Sequence, residues 1–436
     1  MPESRKQSRR SFLRAAGATA LGAPYLLSTR SLAAGAMARP VPSNRIAMAL
    51  IGCGGMGNAN LYEFLRKAEV QVVAVCDPDR SRRESARLAV DEFYSAASRS
   101  GRYTGCDSYN DFRDVLGRAD VDAVIQAAPD HWHAPIVVAA ARAGKDIYGE
   151  KPLTAWLGQG RVMCEAVRRY GRVFQTGSQQ RSDPRFRFAC ELVRNGRIGK
   201  VHTVLVGLPP GARTGNHPPI PPPEGFDYDL WLGPAPSAPY CEYRTHYNFR
   251  YILDYSGGKL CDWGAHHIDI AQWGLGMSDS GPVEIEGVGE CPTDGLWNTA
   301  VNYRFTATYA NGIGLIAGNH FDLGVKFEGD EGWVFVTRGR IDAHRPSLLT
   351  SVIGPDEIQL YPSGDHRENF LECMRSRGET AAPVEHAHRT ITIAHLANIA
   401  MLLRRRIRWD PATERIIDDP VAQRMTDRAV RERWRL

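Results

Sequence analysis

The chain has 436 residues, 43% hydrophobic and 24% charged, which gives room for two or three globular domains and excludes a collagen-like or disordered composition. The formal net charge of +5 resides in residues 1–36, where six basic residues (Arg5, Lys6, Arg9, Arg10, Arg14, Arg30) stand against one acid, Glu3. The remainder is near neutral and has no basic-aromatic stripe, so no nucleic-acid partner is expected.

The N-terminus reads Ser8-Arg9-Arg10-Ser11-Phe12-Leu13-Arg14, followed by the apolar stretch Ala15 to Leu27 and then Ala34-Gly35-Ala36. This resembles a twin-arginine export signal with a cleavage site. Residues 1–43 are therefore expected to be a leader and linker read by the twin-arginine export machinery, with a periplasmic or other extracytoplasmic destination. Thirteen mildly apolar residues broken by Pro24 are too few for a membrane span, which needs about 20. An uncleaved anchor and a merely basic tail are the alternatives. The nine cysteines stand singly with no C-x-x-C pair, so they read as buried thiols rather than metal ligands. No metal is expected, although an exported chain leaves room for one or two disulfides.

The apolar run Ile46 to Ile51 predicts a strand that feeds Gly52-Cys53-Gly54-Gly55-Met56-Gly57. In G-x-G-x-x-G the first glycine turns tightly, the second admits a pyrophosphate against bare backbone, and the third lets the following helix pack close. A second strand, Val70 to Val75, ends at Cys76-Asp77, where a carboxylate is placed to take ribose hydroxyls. Asp77 would repel a 2′-phosphate, with Arg80 only partly compensating, so NAD is favoured over NADP. A helix over Arg80 to Ser98, a strand over Val121 to Ala128, a helix over Ala134 to Ala143 and a strand over Asp146 to Tyr148 follow. A helix near Gly158 to Tyr170 and a strand at Val173 to Gly177 complete an α/β domain, a doubly wound parallel Rossmann sheet spanning residues 44–181.

Residues 182–436 have a different texture. A helix over Pro184 to Asn195 precedes the alternating strand Val201 to Gly207, and Pro218 to Pro223 forces an extended loop. The runs Val283 to Glu290, Asn298 to Tyr309, Gly312 to His320 and Gly332 to Thr337 predict a largely antiparallel sheet. The last part, from Asp365 through a helix over Ile391 to Arg404, is expected to return onto the cofactor domain.

Two segments carry chemistry. Lys151 follows a strand end in Gly149-Glu150-Lys151-Pro152, on the same sheet edge as the glycine loop. An ammonium there is placed to bond a substrate hydroxyl and lower its pKa, whereas composition alone makes it a solvated lysine. The second segment runs from Gly257 to Asp269 and opens a helix, with Asp262, His266 and Asp269 recurring at i, i+4 and i+7 on one face. A histidine suits proton transfer near neutral pH and a carboxylate one turn away can orient it, while zinc binding and a purely structural role stay open.

Taken together, G-C-G-G-M-G, C-D-P-D, A-A-P-D-H-W-H, G-E-K-P and G-G-K-L-C-D-W-G-A-H-H-I-D-I-A resemble the glucose-fructose oxidoreductase, inositol dehydrogenase and MocA (Gfo/Idh/MocA) family, over nearly all of residues 44–436. The resemblance implies a Rossmann domain, a C-terminal α/β substrate and oligomerisation domain built on a large open sheet, and a nicotinamide cofactor. It implies hydride transfer with a sugar, glycoside or cyclitol hydroxyl, and assembly as a dimer or tetramer. It also implies a catalytic set: His266 as acid/base, Lys151 orienting and polarising the hydroxyl, and Asp262 holding the substrate or His266. Gly52, Gly54, Gly55, Met56, Gly57, Asp77, Pro129, Asp130, His133, Glu150 and Lys151 would line the cofactor. Trp132 and His131 would face the substrate. Gln179 and Arg181 are substrate-side candidates or else a domain-junction cluster, and Arg244, Tyr247 and Arg250 are candidates for a sugar-binding wall. Because an exported enzyme would lose released NADH, the cofactor is expected to be tightly held and recycled. Two alternatives stand beside the dehydrogenase: a redox-neutral glycoside hydrolase or lyase working through a transient 3-keto sugar, and a non-catalytic dinucleotide or sugar sensor.

Overall fold

The computed structural model describes residues 45–99 and 103–436. Residues 1–43, where an export signal, a cleavage site and a linker are expected, lie outside the described residues. No helix among the described residues is long and apolar enough to cross a membrane.

Six parallel strands form the first sheet: β1 (Ile46–Ile51), β2 (Val70–Cys76), β3 (Asp107–Tyr109), β4 (Ala123–Gln126), β5 (Asp146–Gly149) and β6 (Phe174–Thr176), in the order β3-β2-β1-β4-β5-β6. β4 and β5 are buried at every position, as strands covered on both faces are, with Gln126 and Asp146 the polar residues at their ends. Helices α1 (Gly55–Leu65), α2 (Arg80–Phe93), α3 (Asp130–Arg142) and α4 (Gly158–Arg169) make the crossovers. α2 ends at Tyr94, whose ring is buried, and Ser95–Arg99 forms a separate short helix, so the single helix expected to Ser98 is two. α3 starts four residues before the expected Ala134, because Pro135 lies inside it rather than at its first position. Asp130, His131, Trp132 and His133 are thus helical, not a strand end.

After α5 (Pro184–Arg194), the second sheet has nine strands: β7 (Val201–Gly207), β8 (Glu284–Gly289), β9 (Tyr303–Thr308), β10 (Gly314–Gly318), β11 (Gly324–Gly329), β12 (Gly332–Thr337), β13 (Arg340–Ala343), β14 (Ile407–Asp410) and β15 (Arg415–Ile416). Their order is β13-β12-β11-β7-β10-β9-β8-β14-β15. All the pairs are antiparallel except β7 with β10. The expected mostly antiparallel sheet is present, with four strands, β11, β13, β14 and β15, that the apolar pattern does not reveal. Helices α6 (Gly258–Leu275), α7 (His366–Ser376) and α8 (Val384–Leu403) complete the chain's framework. α8 packs on α6 and β8 and touches α4 and β6, while α7 inserts Phe370 against Phe64 and Tyr148 of the first sheet's core. The C-terminal part therefore does return onto the cofactor domain. All nine cysteines are free, eight of them buried, so the disulfides left open by the count do not form.

One buried ion pair fastens this junction. Arg181 grips Asp269 bidentately, with Nε and Nη2 donating at 2.7 and 2.8 Å, and the side chains are 2% and 3% exposed. Thr390 donates to the same carboxylate at 3.1 Å, and the Arg181 guanidinium lies over the Trp273 ring at 5.3 Å. Removing one partner leaves a buried charge uncompensated. Arg181→Ala should therefore lower unfolding stability by about 3–5 kcal/mol, read as a lower urea midpoint at unchanged slope. A midpoint within error of wild type would refute the clamp.

Candidate active site

One cavity of about 930 Å³ lies outside the carboxyl ends of the first sheet's strands and reaches α6. This is where open parallel sheets bind their ligands. Gly52, at the end of β1, has φ +95° and donates its N–H to the Cys76 carbonyl at 2.8 Å. A Cβ on Gly52 would meet the Ala127 carbonyl carbon at 2.5 Å, and one on Gly57 would meet the Gly52 oxygen at 1.9 Å. These two glycines let strand and helix pack; Gly57 itself does not line the cavity.

Gly54 and Gly55 do line it, beside Met56, and a Cβ built on Gly55 meets nothing within 4 Å. The N-terminus of α1 thus presents bare backbone to the cavity, a cradle suited to a pyrophosphate. Gly55→Ala should leave thermal stability unchanged and weaken dinucleotide affinity, whereas Gly57→Ala should lower the melting temperature itself. Differential scanning fluorimetry and a dinucleotide titration separate the two, and a Gly55→Ala protein that binds normally would refute the cradle.

Asp77 lies at the next strand end and lines the cavity. Its Oδ2 accepts from the Cys53 N–H at 2.8 Å and its Oδ1 from the Asp79 N–H at 2.9 Å, leaving each oxygen a second lone pair. Burial lifts its pKa to about 6 against the pull of those backbone bonds, so it is ionised at neutral pH. The cation beside it is Arg82 rather than the expected Arg80: Arg82 lines the cavity, while the Arg80 side chain packs against Gly225.

Pro129, Trp132 and His133 form one wall. His133 is held between the Pro152 and Ala128 carbonyls at 2.7 and 2.8 Å. The Trp132 indole donates to the Trp231 carbonyl at 2.9 Å and packs against Phe112 and Trp434, so it shapes the cavity with its hydrogen-bonding capacity already used. His131 does not face the substrate space. It is fully buried against the Trp231 carbonyl at 3.0 Å, because the helical turn points it away from the cavity.

Lys151, Asp262 and His266 meet on this cavity from β5 and α6. The Lys151–Pro152 peptide is cis. Lys151 Nζ donates to Asp262 Oδ1 at 2.5 Å, and Lys259 Nζ donates to Oδ2 at 3.0 Å. Burial alone would raise the Asp262 pKa, but Lys151, Arg250 and Lys259 hold it well below the usual carboxylate range. His266 is 4% exposed and its Nδ1 has no partner among the described residues. Burial, then the Lys151, Arg338 and His267 charges, push its pKa well below the ordinary histidine value, leaving a neutral imidazole. Neither carboxylate on its helix orients it: Asp262 is committed to the lysines and Asp269 to Arg181.

Glu150 accepts from Asn60 at 2.8 Å and from Gln179 at 3.3 Å, which fixes the floor between the cofactor loop and Lys151. Gln179, Tyr247 and Arg250 line the cavity as expected, with the Arg250 guanidinium 4.2 Å from the Tyr247 ring centre. Two other candidates do not. Arg181 takes the domain-junction role expected as its alternative, and Arg244 is not part of the wall but donates to the Pro239 carbonyl and the Tyr255 hydroxyl. Three lining cations went unread in the sequence, Arg82 among them. Lys259, three residues before Asp262, is recoverable from helical spacing, whereas Arg338, on the turn between β12 and β13, has no local signal.

A glycine-rich strand-to-helix turn, an acid at the next strand end and a lysine-acid-histidine group on one cavity are what a nicotinamide-dinucleotide oxidoreductase requires. The comparisons agree. The model described as "Oxidoreductase family, NAD-binding Rossmann fold" matches residues 46–178, and "Oxidoreductase family, C-terminal alpha/beta domain" matches residues 212–436. The chain belongs to the Gfo/Idh/MocA oxidoreductase family. It is 30% identical over 164 residues (38% of this chain, 44% of the relative) to the uncharacterized oxidoreductase YrbE of Bacillus subtilis. It is 27% identical over 235 residues (53% and 55%) to scyllo-inositol 2-dehydrogenase (NAD(+)) of the same organism. The chain thus spans about half the length of the curated relatives it matches. The WlbA dehydrogenase of Bordetella pertussis, solved in complex with NADH and UDP-GlcNAcA, shares the fold at TM-score 0.60 and 18% identity, over 84% of this chain and 99% of that one.

Proposed function

We propose that the protein transfers hydride between a secondary hydroxyl of a sugar, glycoside or cyclitol and a tightly held NAD. The observation that carries this reading is the single cavity on which the open Gly54–Gly55 backbone and the Lys151, Asp262 and His266 side chains converge. Bound NAD supplies the hydride acceptor. The protein supplies orientation and proton handling. His266, kept neutral, takes the hydroxyl proton. The Lys151 ammonium donates to the same oxygen and stabilises its developing charge, while Asp262 holds that ammonium in place. The inositol dehydrogenase relative supports the substrate class.

The same reading extends to export by the twin-arginine route with the cofactor aboard. A segment of the C-terminal part is latched across the strand ends that face the dinucleotide. Arg80 N–H donates to the Gly225 carbonyl and Asp227 N–H to the Pro78 carbonyl, both at 3.0 Å, and Asn110 donates to Asp227 at 2.9 Å. His246 from this segment stacks on Phe226 and lines the cavity. Such a strap slows cofactor exchange.

The test is the cofactor released from purified, denatured protein, together with nicotinamide absorbance before and after adding cyclitols, glycosides and keto-sugars. Stoichiometric NAD and a spectral change with at least one compound are expected. Tighter binding of NADP than NAD would reverse the cofactor assignment, and the absence of any dinucleotide binding would overturn the proposal.

A further inference from the structure

The α6 side of the cavity gathers its cations around one closely paired carboxylate. Lys151, Lys259 and Arg250 all bear on the one Asp262 carboxylate, at 2.5, 3.0 and 3.8 Å, and their side chains are only 13%, 12% and 20% exposed. Arg338 lies on the same cavity, over the Trp263 ring at 5.0 Å, with no carboxylate partner among the described residues. With its amide turned to satisfy both neighbours, Gln180 accepts from Arg338 Nε at 3.3 Å and donates to the His266 carbonyl at 3.2 Å.

Of the other acids on the cavity, none forms an ion pair with Lys259, Arg250 or Arg338 among the described residues. Asp183 caps α5, accepting from the Arg185 N–H at 2.8 Å. Asp130 and Glu150 are engaged by Ser256 at 2.5 Å and Asn60 at 2.8 Å, and act on Arg250 and Lys151 only from beyond ion-pair distance. Asp77 stands at the far strand end beside Arg82. The phosphates of a dinucleotide are provided for by the N–H groups of the glycine loop, on the other side of the cavity. Three shielded cations sharing one carboxylate leave positive charge over at close range, and a site that keeps it, with the exposed Arg338 at its mouth, is prepared for an anion.

We infer that the substrate carries an anionic group, a carboxylate or phosphate on the sugar or cyclitol, received by Lys259 and Arg250 with Arg338 at the mouth. This deepens the dehydrogenase reading above and rests on it. Arg250 is suited to the role because its guanidinium, fixed against the Tyr247 ring, offers a planar fork to two oxygens. Lys259, donating to both Asp262 and the Tyr247 hydroxyl (3.3 Å), keeps a third N–H free for the ligand.

The experiment uses the holoprotein and matched sets of hexoses and inositols in three forms: neutral, carboxylate in place of the primary alcohol where one exists, and monophosphate. Calorimetry gives Kd and nicotinamide absorbance gives kcat/KM. One anionic form should bind and react about 10- to 100-fold better than its neutral congener, and that preference should weaken with added salt. A favoured carboxylate identifies an acidic sugar, and a favoured monophosphate identifies a phosphorylated one. In Lys259→Gln the anion-to-neutral ratio should fall toward one. The salt dependence of the wild-type protein tests the same point should that variant fold poorly. Neutral forms that bind and react as well as both anions, or anions that do not bind at all, would overturn the inference while leaving turnover of neutral sugars to support the dehydrogenase. Anion binding with no change in nicotinamide absorbance would support the anion site and count against the dehydrogenase.

Discussion

Replacement of His266 by alanine is expected to lower kcat for alcohol oxidation by about 100- to 10,000-fold, the range for losing a positioned general base. His266 stands beside Lys151 and Asp262 on the cavity, and its neutral form is favoured by burial first and then by the Lys151, Arg338 and His267 charges. The sign for pH follows. A base works deprotonated, so activity is full above its pKa and falls as pH drops through it. Since that pKa lies well below the ordinary histidine value, the acid limb of the kcat/KM profile should lie below the ordinary histidine range, and in His266→Ala it should vanish along with the rate. A wild-type limb at or above the ordinary histidine value, or a variant with unchanged kcat, would remove His266 from the mechanism.

Lys151→Ala should cost about 100- to 1,000-fold in kcat, the usual effect of deleting one preorganised donor to a developing oxyanion. The loss should fall on kcat more than on substrate affinity, because Lys259 and Arg250 still neutralise Asp262. A second readout separates polarisation from mere packing. The Lys151 charge is the leading electrostatic cause of the depressed His266 pKa, so its removal should move the acid limb of the profile upward. A variant that loses rate with an unmoved limb would place Lys151 in the structure but not in the electrostatics of His266. If both single variants turned over every accepted sugar at the wild-type rate, the sensor reading would replace the enzyme.

What the sequence disclosed follows how local each signal is. The glycine loop, its strand and Asp77 are set by fixed short spacings, and the structure arranges them as that spacing requires. Lys151 and the Asp262–His266 pair are legible for the same reason, since one follows a strand end and the other shares a helix face. Arg181 was ambiguous because its partner lies 88 residues away, and only folding shows that Asp269 turns toward it rather than toward His266. His131 turns away from the substrate space because it lies in the first turn of a helix that begins at Asp130, four residues before the expected Ala134. Arg338 enters from a turn between two strands, where nothing nearby distinguishes it from a solvated arginine. Strands β14 and β15 are short additions to a sheet edge, and their few residues carry too little alternation to stand out.

Helix α6 carries Asp262 and His266 toward the cavity, and one turn later carries Asp269 into the buried grip of Arg181. Its central turns therefore cannot fray independently, because loosening the reacting pair would also expose a desolvated charge pair and part of the core. The reach and tilt of the imidazole are fixed by the cooperativity of the whole fold rather than by hydrogen bonds to the ring. That accounts for a histidine able to stand in a precise place with Nδ1 unpartnered, free to exchange a proton without first surrendering a support.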